Sequence, residues 1–448
     1  MIIDELRYGE LMTLIDLTPP LRHDRGLDAL PVAIIGGGPI GLAAAANLVE
    51  RGIPFELFEA GGVAASVSAW GHIRLFSPWE HVVDPVSARL LAAAGWQRPA
   101  DEGLPTGAEL VAGYIEPLAA LPAIAGHVHT ATEVLAVSRQ GKDRTRTAAR
   151  AATPFLLRSR DAAGVVTDTP FRAVIDASGT YRSPNALASS GLDPLGLGEV
   201  ADRVTGALPD VLGRDRARFA GRHTIVVGAG HSAANTLLDL GTLSESAPGT
   251  RITWAIRNAG AIRVSSSADD ELAARARLGG RVDGLVASGA IELVDGFEIV
   301  RLARHGEAVR ITATRHGEVV HIDADLIVNA TGFRPDLALL REIRLDLDDI
   351  VEAPRRLAPL IDPNLHSCGT VPPHGFAELR QPEDGFFLAG MKSYGRAPTF
   401  LLANGYEQVR SIVAWLDGDA AAAGHVELTL PATGVCSTGP ASAGGGCC

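Results

Sequence analysis

A glycine-rich turn between an apolar strand and an alanine-rich helix constrains this fold most strongly, and the chain contains two such turns. The first lies in VAIIGGGPIGLAAAANLVERG, where Gly36, Gly38 and Gly41 fit the pattern GxGxxG. A strand can turn this sharply into a helix, and its backbone can approach a pyrophosphate, only where side chains are absent. Glu59 ends the next strand, FELFEA, where a carboxylate accepts hydrogen bonds from the hydroxyls of an unphosphorylated ribose. This unit is predicted to bind FAD or NAD through Gly36, Gly38, Pro39, Gly41 and Glu59.

The second turn lies in HTIVVGAGHSAANTLLDL and has Gly228, Gly230 and Ala233 in the related pattern GxGxxA. The strand after its helix, RITWAIRN, ends in Arg257 rather than in an acid. A guanidinium here pairs with a ribose 2′-phosphate, which a carboxylate would repel, so this unit is predicted to bind NADPH. The alternative is a solvated charge at a strand end. The predicted contacts are Gly228, Gly230, His231, Ser232 and Arg257, with support from Arg263; for His231 a turn residue bonded to water is the favoured alternative.

Two further strands end in similar small-residue turns. One runs into Ala-Ser-Gly at 177–179, and the other runs into Ala-Thr-Gly at 330–332. We interpret both as crossover points where the chain leaves one domain for another. Together with the glycine turns, they predict an α/β protein with two Rossmann-like dinucleotide-binding domains.

The composition excludes several classes of partner and location. The net charge is −12, and no block of Lys and Arg offsets it locally, so nucleic acid and anionic membranes are not expected partners. The apolar stretch 31–49 is interrupted by glycines, which argues against a membrane span. The first residues lack the pattern of a secretory signal, and four cysteines in 448 residues suggest no disulfide framework. A cytoplasmic location is predicted.

These motifs together resemble the flavin-containing monooxygenase-like group of two-dinucleotide-binding-domain flavoproteins. The resemblance is carried by IIGGGPIGL with Glu59, by FAGRHTIVVGAGHSAANT and by LIVNATGFRPD. It implies that an NADPH domain is inserted into a discontinuous FAD domain. The implied division is an N-terminal extension (1–30), a first FAD-domain segment (31–218), the NADPH domain (219–325), a second FAD-domain segment (326–425) and a flexible Cys-containing tail (426–448).

For this group the resemblance also implies a reaction. NADPH would reduce FAD, O2 would be activated as a flavin C4a-peroxide, and one oxygen would pass to a nucleophilic atom of a small-molecule substrate. Two alternatives stay open. The first is an NADPH-dependent flavin reductase or oxidase that passes electrons to a metal, a quinone or a partner. The second is a nucleotide-binding redox sensor without turnover.

Two departures from that group affect the monooxygenase assignment. The expected Phe-Gly-His fingerprint ahead of the second glycine turn is not recognisable, because Phe219, Gly221 and His223 belong to the strand lead-in. The usual Gly-Asp at the flavin ribityl chain is also absent, since Gly390 is followed by Met391. Backbone amides near Gly390 would have to replace the missing carboxylate.

Further cofactor contacts are predicted in two segments. Pro398 and Thr399 suit the first turn of a helix, whose positive end would face the flavin pyrimidine edge. Trp70 and Arg74 lie in a loop after the acidic strand, where they would cover FAD and substrate. Packing alone explains Trp70 and Arg74 equally well. The helix after Thr399 can be an ordinary amphipathic core helix, and this is compatible with the flavin contact.

The cysteines restrict the chemistry and suggest a substrate. Neither CxxC nor CxxxxC occurs, which excludes the dithiol mechanism of thioredoxin and glutathione reductases. The SYGRAPTF segment and the thiol-rich end weakly resemble bacterial flavoproteins that accompany arsenic-resistance genes. Cys447 and Cys448 are adjacent and suit a soft metalloid such as trivalent arsenic. The alternative is an inert chain end; catalytic side chains and the oligomeric state stay unassigned.

Overall fold

The computed structural model describes residues 25–257, 273–362 and 371–428. Its strands, in chain order, are β1 Val32–Ile35, β2 Phe55–Phe58, β3 Val128–His129, β4 Glu133–Arg139, β5 Phe155–Arg160, β6 Val166–Phe171, β7 Ala173–Asp176, β8 Val204–Thr205, β9 His223–Val227, β10 Arg251–Ala255, β11 Glu292–Val294, β12 Phe297–His305, β13 Ala308–Arg315, β14 Glu318–Ala324, β15 Leu326–Asn329 and β16 Phe386–Leu388.

The helices are short except in the two glycine units and near the C-terminal end of the described chain. They are α1 Arg25–Asp28, α2 Pro39–Glu50, α3 Ala65–Ala69, α4 Trp79–Val82, α5 Pro85–Ala93, α6 Gly107–Leu110, α7 Glu116–Ala119, α8 Pro122–Ala125, α9 Arg216–Phe219, α10 His231–Ser246, α11 Ala273–Ala287, α12 Ala358–Ile361, α13 Phe376–Leu379, α14 Leu402–Leu416 and α15 Ala420–Gly424. Tighter 3-10 turns cover Leu197–Arg203, Ala338–Leu340 and Gly390–Tyr394, and a π-helical turn covers Val111–Ile115.

Two parallel five-stranded sheets form the centres of the two units. The first sheet has the order β16-β7-β1-β2-β3, so the late strand β16 completes a sheet that the N-terminal half begins. The second sheet has the order β11-β10-β9-β15-β8. Parallel strands need long crossover connections, which α2 and α10 provide. The α/β prediction with two Rossmann-like sheets is confirmed.

The second unit extends further along the chain than the predicted NADPH domain at both ends. Leu326–Asn329 pairs with His223–Val227, and Val204–Thr205 pairs in turn with Leu326–Asn329. This corrects the predicted boundary at 325, because β15 belongs to the second sheet and not to the first. The error arose because an apolar strand alone does not indicate which sheet it joins.

Each unit also contains a three-stranded antiparallel sheet, which precedes β7 in the first unit and β15 in the second. β4-β5-β6 belongs to the first unit, and β12-β13-β14 belongs to the second. Separate apolar cores lie under the two glycine turns, one around α2 and α14 and the other around α10. Within the described ranges, no helix combines the length and apolar character that crossing a bilayer requires.

Candidate functional site

The first glycine turn is built so that two of its glycines cannot be replaced. Gly36 has φ +104°, and a Cβ on it would lie 2.7 Å from the carbonyl oxygen of Ala177. A Cβ on Gly41 would lie 1.9 Å from the carbonyl oxygen of Gly36, because α2 packs directly against the turn. Gly38, which caps α2, has open space instead. The open position is therefore the one at which a phosphate can approach the helix amides.

Glu59 lies directly beside this turn. Its carboxylate accepts hydrogen bonds from the amides of Gly37 (2.7 Å) and Gly61 (2.8 Å), and the side chain is half-buried at the end of β2. Each carboxylate oxygen has a second lone pair, so both can still accept from ribose hydroxyls. The open helix N-terminus and the fixed carboxylate fit the adenosine diphosphate part of a dinucleotide.

The third side of this site is formed by the turn at 390–394 and by the start of α14. Ile40, in the first turn of α2, lies between Gly390 and Gly405, where added Cβ atoms would come within 3.0 Å and 2.5 Å of it. Gly390 has φ +66°, and its amide donates to Gln408 Oε1 at 2.8 Å. The start of α2, the 390–394 turn and the start of α14 therefore pack together beside the first glycine turn.

Helix α14 begins later than the sequence predicted. Its first residue is Leu402, so Pro398 and Thr399 precede the helix rather than form its first turn. The hydroxyl of Thr399 and the side-chain carbonyl of Asn404 are buried, and within the described residues neither has a hydrogen-bond partner. Unsatisfied buried groups are costly, so both are available to a ligand at this helix end.

A buried polar network that sequence reasoning missed holds the same turn against α14. The side-chain amide of Gln408 donates to Nε2 of His374 (2.8 Å) and to the hydroxyl of Ser393 (3.0 Å). His374 Nδ1 donates to the carbonyl of Pro372 at 3.0 Å. Burial lowers the pKa of His374, which keeps the ring neutral in this arrangement. No sequence motif signals this network, because its members are brought together only by the tertiary fold.

The second glycine turn repeats the geometry of the first. Gly228 has φ +129°, and a Cβ on it would lie 2.1 Å from the carbonyl oxygen of Ala330. Gly230 caps α10 and has open space around it, while Ala233 is fully buried. The indole of Trp254, in the neighbouring strand β10, donates to the carbonyl of Gly228 at 2.7 Å and so holds the turn in place.

The predicted nucleotide-selective residues lie around this second turn. Arg257 is exposed and follows β10 after the buried Ile256, at the end of the sheet that the turn occupies. His231 and Ser232 form the first turn of α10, and the ring of Phe76 lies 5.4 Å from that of His231. Phe76 comes from the loop that follows β2 and α3 of the first unit, so this loop reaches the second glycine turn. Arg263 lies outside the described residues.

Comparison with known proteins agrees with this geometry. A sequence model of the pyridine nucleotide-disulphide oxidoreductase family matches residues 167–364. Similar solved structures include the bacillithiol disulfide reductase Bdr from Bacillus cereus, at 20% identity, 87% coverage of this chain, 98% of that chain and a TM-score of 0.64. A mutant flavin monooxygenase from Stenotrophomonas maltophilia is 23% identical, with 87% of this chain and 98% of that chain covered and a TM-score of 0.56. The FAD-bound cadaverine monooxygenase DfoA from Erwinia amylovora is 14% identical, with 92% of this chain and 99% of that chain covered and a TM-score of 0.58.

At these identities the likeness establishes the fold. The chain has the fold of the two-dinucleotide-binding-domain flavoproteins. No curated protein matches its sequence significantly. The matched solved structures are covered almost completely, so this chain contains both units of the flavoprotein fold.

Within this flavoprotein fold, the contacts of Trp70 and Arg74 favour the packing interpretation. Trp70 lies against Gly107, where an added Cβ would be 2.9 Å from the indole ring. Arg74 is exposed, donates to the carbonyl of Leu104 and lies 3.5 Å from the carboxylate of Glu109. Both residues stabilise the loop that carries Phe76. Their flavin contacts remain a prediction.

The other residues singled out in the sequence have structural positions or lie outside the described ranges. Phe219 is buried at the end of α9, and His223 lies in β9, where its ring bonds to the carbonyl of Asp323 and the hydroxyl of Thr253. Burial lowers the pKa of His223. Cys447 and Cys448 lie outside the described residues, as do the other two cysteines. The part of the chain that is described contains no cluster of His, Cys, Asp and Glu suited to a metal ion.

Proposed function

We propose that this protein is an FAD- and NADPH-dependent oxidoreductase. The main support is the pair of glycine turns, each with an open second glycine at the N-terminus of a long helix. Phe76 from the first unit lies against His231 of the second turn, so the first unit contacts the second beside the predicted NADPH site. A flavin reduced by a nicotinamide needs this proximity.

FAD is assigned to the first unit. Gly38 and the start of α2 would hold its pyrophosphate, and Glu59 would hold its adenosine ribose. Thr399 and Asn404, whose buried oxygens lack a partner among the described residues, would meet its ring system at α14. When bound, FAD supplies hydride acceptance and electron delivery. The protein would orient the cofactor through these contacts.

NADPH is assigned to the second unit. Gly230, His231 and Ser232 would contact its pyrophosphate at the start of α10, and Arg257 would pair with the 2′-phosphate. Arg257 is exposed where the chain leaves β10, the strand that neighbours the second glycine turn, so its guanidinium can reach solvent and a phosphate there. This supports NADPH over NADH.

The acceptor reaction we propose is monooxygenation of a small nucleophilic substrate with O2. The spacing of the four cysteines gives no dithiol motif. The structures from Erwinia amylovora and Stenotrophomonas maltophilia are monooxygenases by their names. The likeness to a disulfide reductase supports the second candidate, an NADPH-dependent flavin reductase or oxidase that transfers electrons without oxygenating a substrate.

Anaerobic reduction followed by admission of oxygen tests these proposals. We expect the purified yellow protein to lose its colour with NADPH, and to do so more slowly with NADH. Incorporation of heavy-isotope oxygen into a substrate, coupled to NADPH use, supports the monooxygenase. Release of hydrogen peroxide alone supports the oxidase. A flavin that NADPH does not reduce contradicts the enzyme assignment and favours a redox sensor.

Within this proposal, the substrate is a trivalent arsenical that Cys447 and Cys448 bind as thiolates. The variant Cys447→Ser/Cys448→Ser should retain FAD binding and NADPH oxidation, and should turn over arsenite or methylated arsenicals more slowly. Equal turnover of these substrates by both forms would remove the cysteine pair from the mechanism. Fractionation of the native host would test the proposed cytoplasmic location.

A further inference from the structure

Lysine is rare in this chain, and one of its lysines is completely buried. Of the 40 Lys and Arg residues, only Lys142 and Lys392 are lysines. Lys142 lies in the turn after β4 and donates to the carbonyl of Ala148. Lys392 lies in the turn at 390–394, with 0% of its side chain exposed. A buried ammonium is costly and needs a specific partner.

That partner is a carboxylate at the end of the first sheet. Lys392 Nζ lies 2.7 Å from Asp176 Oδ2, and the Asp176 side chain is also 0% exposed. Nζ also donates to the hydroxyl of Ser178 at 3.0 Å. The other oxygen of Asp176 accepts from the amide (3.1 Å) and the hydroxyl (2.6 Å) of Ser178. The three side chains form a closed hydrogen-bonded ring.

This ring joins two segments that border the predicted FAD site. Asp176 ends β7, and the turn that follows supports the first glycine turn, since a Cβ on Gly36 would lie 2.8 Å from the Cα of Ser178. Lys392 belongs to the 390–394 turn, where Gly390 packs on Ile40 and hydrogen-bonds to α14. Its ammonium therefore links the turn under Gly36 to the segment that leads into α14.

The second unit makes the same turn without a charge. Asn329 ends β15, and its side-chain oxygen accepts from the amide (3.2 Å) and the hydroxyl (2.7 Å) of Thr331, as Asp176 does from Ser178. The Asn329 amide donates to the carbonyl of Asn185 at 2.9 Å. A neutral amide is thus sufficient to form the turn. The charge on Asp176 is needed only for the link to Lys392.

We propose that Lys392 and Asp176 are positioning residues of the FAD site, which hold the Ala177–Gly179 turn and the 390–394 turn at a fixed separation. This rests on the proposed function, in which FAD occupies the first unit. Met391 follows Gly390, so the turn itself has no carboxylate at that position. In its place, the Lys392–Asp176 pair would hold the turn in position. Neither side chain is exposed, so both act through the turns they connect.

Three variants test the proposal by separate measurements of FAD affinity and of apoprotein melting. Lys392→Met should weaken FAD binding at least about tenfold and lower the melting temperature, because Asp176 loses its cation in a dry environment. Asp176→Asn/Lys392→Met removes both charges, and the amide introduced at position 176 can retain the bonds to Ser178 as Asn329 does to Thr331. This double variant should melt near the wild type but still bind FAD at least about tenfold more weakly. Lys142→Met is the matched control and should change neither quantity.

Three results would overturn the positioning role. The first is a double variant that recovers FAD affinity together with its melting temperature, and the second is a Lys392→Met variant that behaves like Lys142→Met. The third is a parallel fall of affinity and melting temperature in every Lys392 variant, which means that the pair only supports the fold. A wild type that does not bind FAD would contradict the proposed function itself, and this is measured before any variant is compared.

Discussion

The two dinucleotide units use one backbone solution and two different sets of side chains. Gly36 and Gly228 both have positive φ, and each is packed against the carbonyl of an alanine in the next turn of its sheet. Gly38 and Gly230 are both open at a helix N-terminus. The turn geometry is therefore common to both units, and any difference between their ligands must come from the residues around the turn.

The third position of the motif shows how closely each helix approaches its strand. Gly41 is in contact with the carbonyl of Gly36, whereas the second unit accommodates the methyl group of Ala233 in a buried position. The first helix is thus packed more tightly against its glycine turn than the second. This difference leads to the largest effect that we predict.

Gly41→Ala should prevent stable folding of the first unit. Its Cβ would lie 1.9 Å from the Gly36 carbonyl oxygen, which is backbone and cannot move aside without displacing α2. We expect a loss above about 4 kcal/mol in the free energy of unfolding. Denaturant unfolding measures it, with Ala233→Gly as the counterpart in the second unit, where only about 1 kcal/mol of helix propensity is lost.

Gly38→Ala is the control within the first turn. Nothing lies within 4 Å of its added Cβ, so the apoprotein should keep its stability while FAD binds more weakly. Equal stability of Gly41→Ala and Gly38→Ala would mean that helix packing does not distinguish the two positions.

The sequence was sufficient for features that depend on neighbours in the chain. Gly36, Glu59 and Gly228 were recognisable because a strand, a turn and a helix follow each other within one segment. The pairing of Asp176 with Lys392 was not, because the two residues are far apart in sequence and meet only when β16 joins the first sheet.

The same limit explains the errors at element boundaries. The apolar pattern of β15 is the same whichever sheet it enters, so its place beside β9 required the structure. Pro398 and Thr399 fit a first helical turn by residue type, yet α14 begins at Leu402. Local preferences indicate that a helix exists more reliably than they locate its first residue.

The ion pairs at the antiparallel sheets of the two units differ in burial, and this difference leads to the second prediction. Glu383 is buried and pairs with Arg139 (2.8 Å) and Arg150 (2.9 Å) beside β4-β5-β6. Glu383→Gln would remove the carboxylate with which both buried guanidinium groups pair. We expect a loss of about 3 kcal/mol in the free energy of unfolding, measured by denaturant titration.

The matching change in the second unit is Asp323→Asn. Asp323 pairs with Arg310 at 2.9 Å, but both side chains are about two-fifths exposed, at 40% and 41%. Solvent screens such a pair, so little change in stability is expected. If the two variants lose similar stability, burial does not separate the two sheets.

The third prediction concerns Glu59 and Arg257, the opposite charges beside the two turns. Arg257→Ala should raise KM for NADPH about tenfold and leave KM for NADH nearly unchanged, because only NADPH carries the 2′-phosphate. Steady-state kinetics with both nucleotides measures this. Glu59→Gln is the counterpart and should weaken FAD binding without altering the preference for NADPH. An equal rise of KM for both nucleotides in Arg257→Ala would place the guanidinium away from the phosphate.

The smallest predicted effect lies in α10, where burial and then the charge of Asp210 raise the pKa of Asp239 from 3.8 to about 6. In the unfolded chain this group ionises near its ordinary pKa, so the folded state loses stability as pH rises from about 4 to about 6. Asp239→Asn should therefore stabilise the protein by about 1 kcal/mol above that window and by nothing below it. This is less than the roughly 3 kcal/mol of the full shift, because the half-buried carboxylate stays partly solvated. Asp84 in the first unit also has its pKa raised to about 6 by burial. There, however, the amide and the hydroxyl of Ser87 donate hydrogen bonds to the carboxylate, which favours its ionised form. Melting temperatures of Asp239→Asn and wild type across this pH range measure the difference, and a gap that does not grow with pH would exclude the ionisation of Asp239 as its cause.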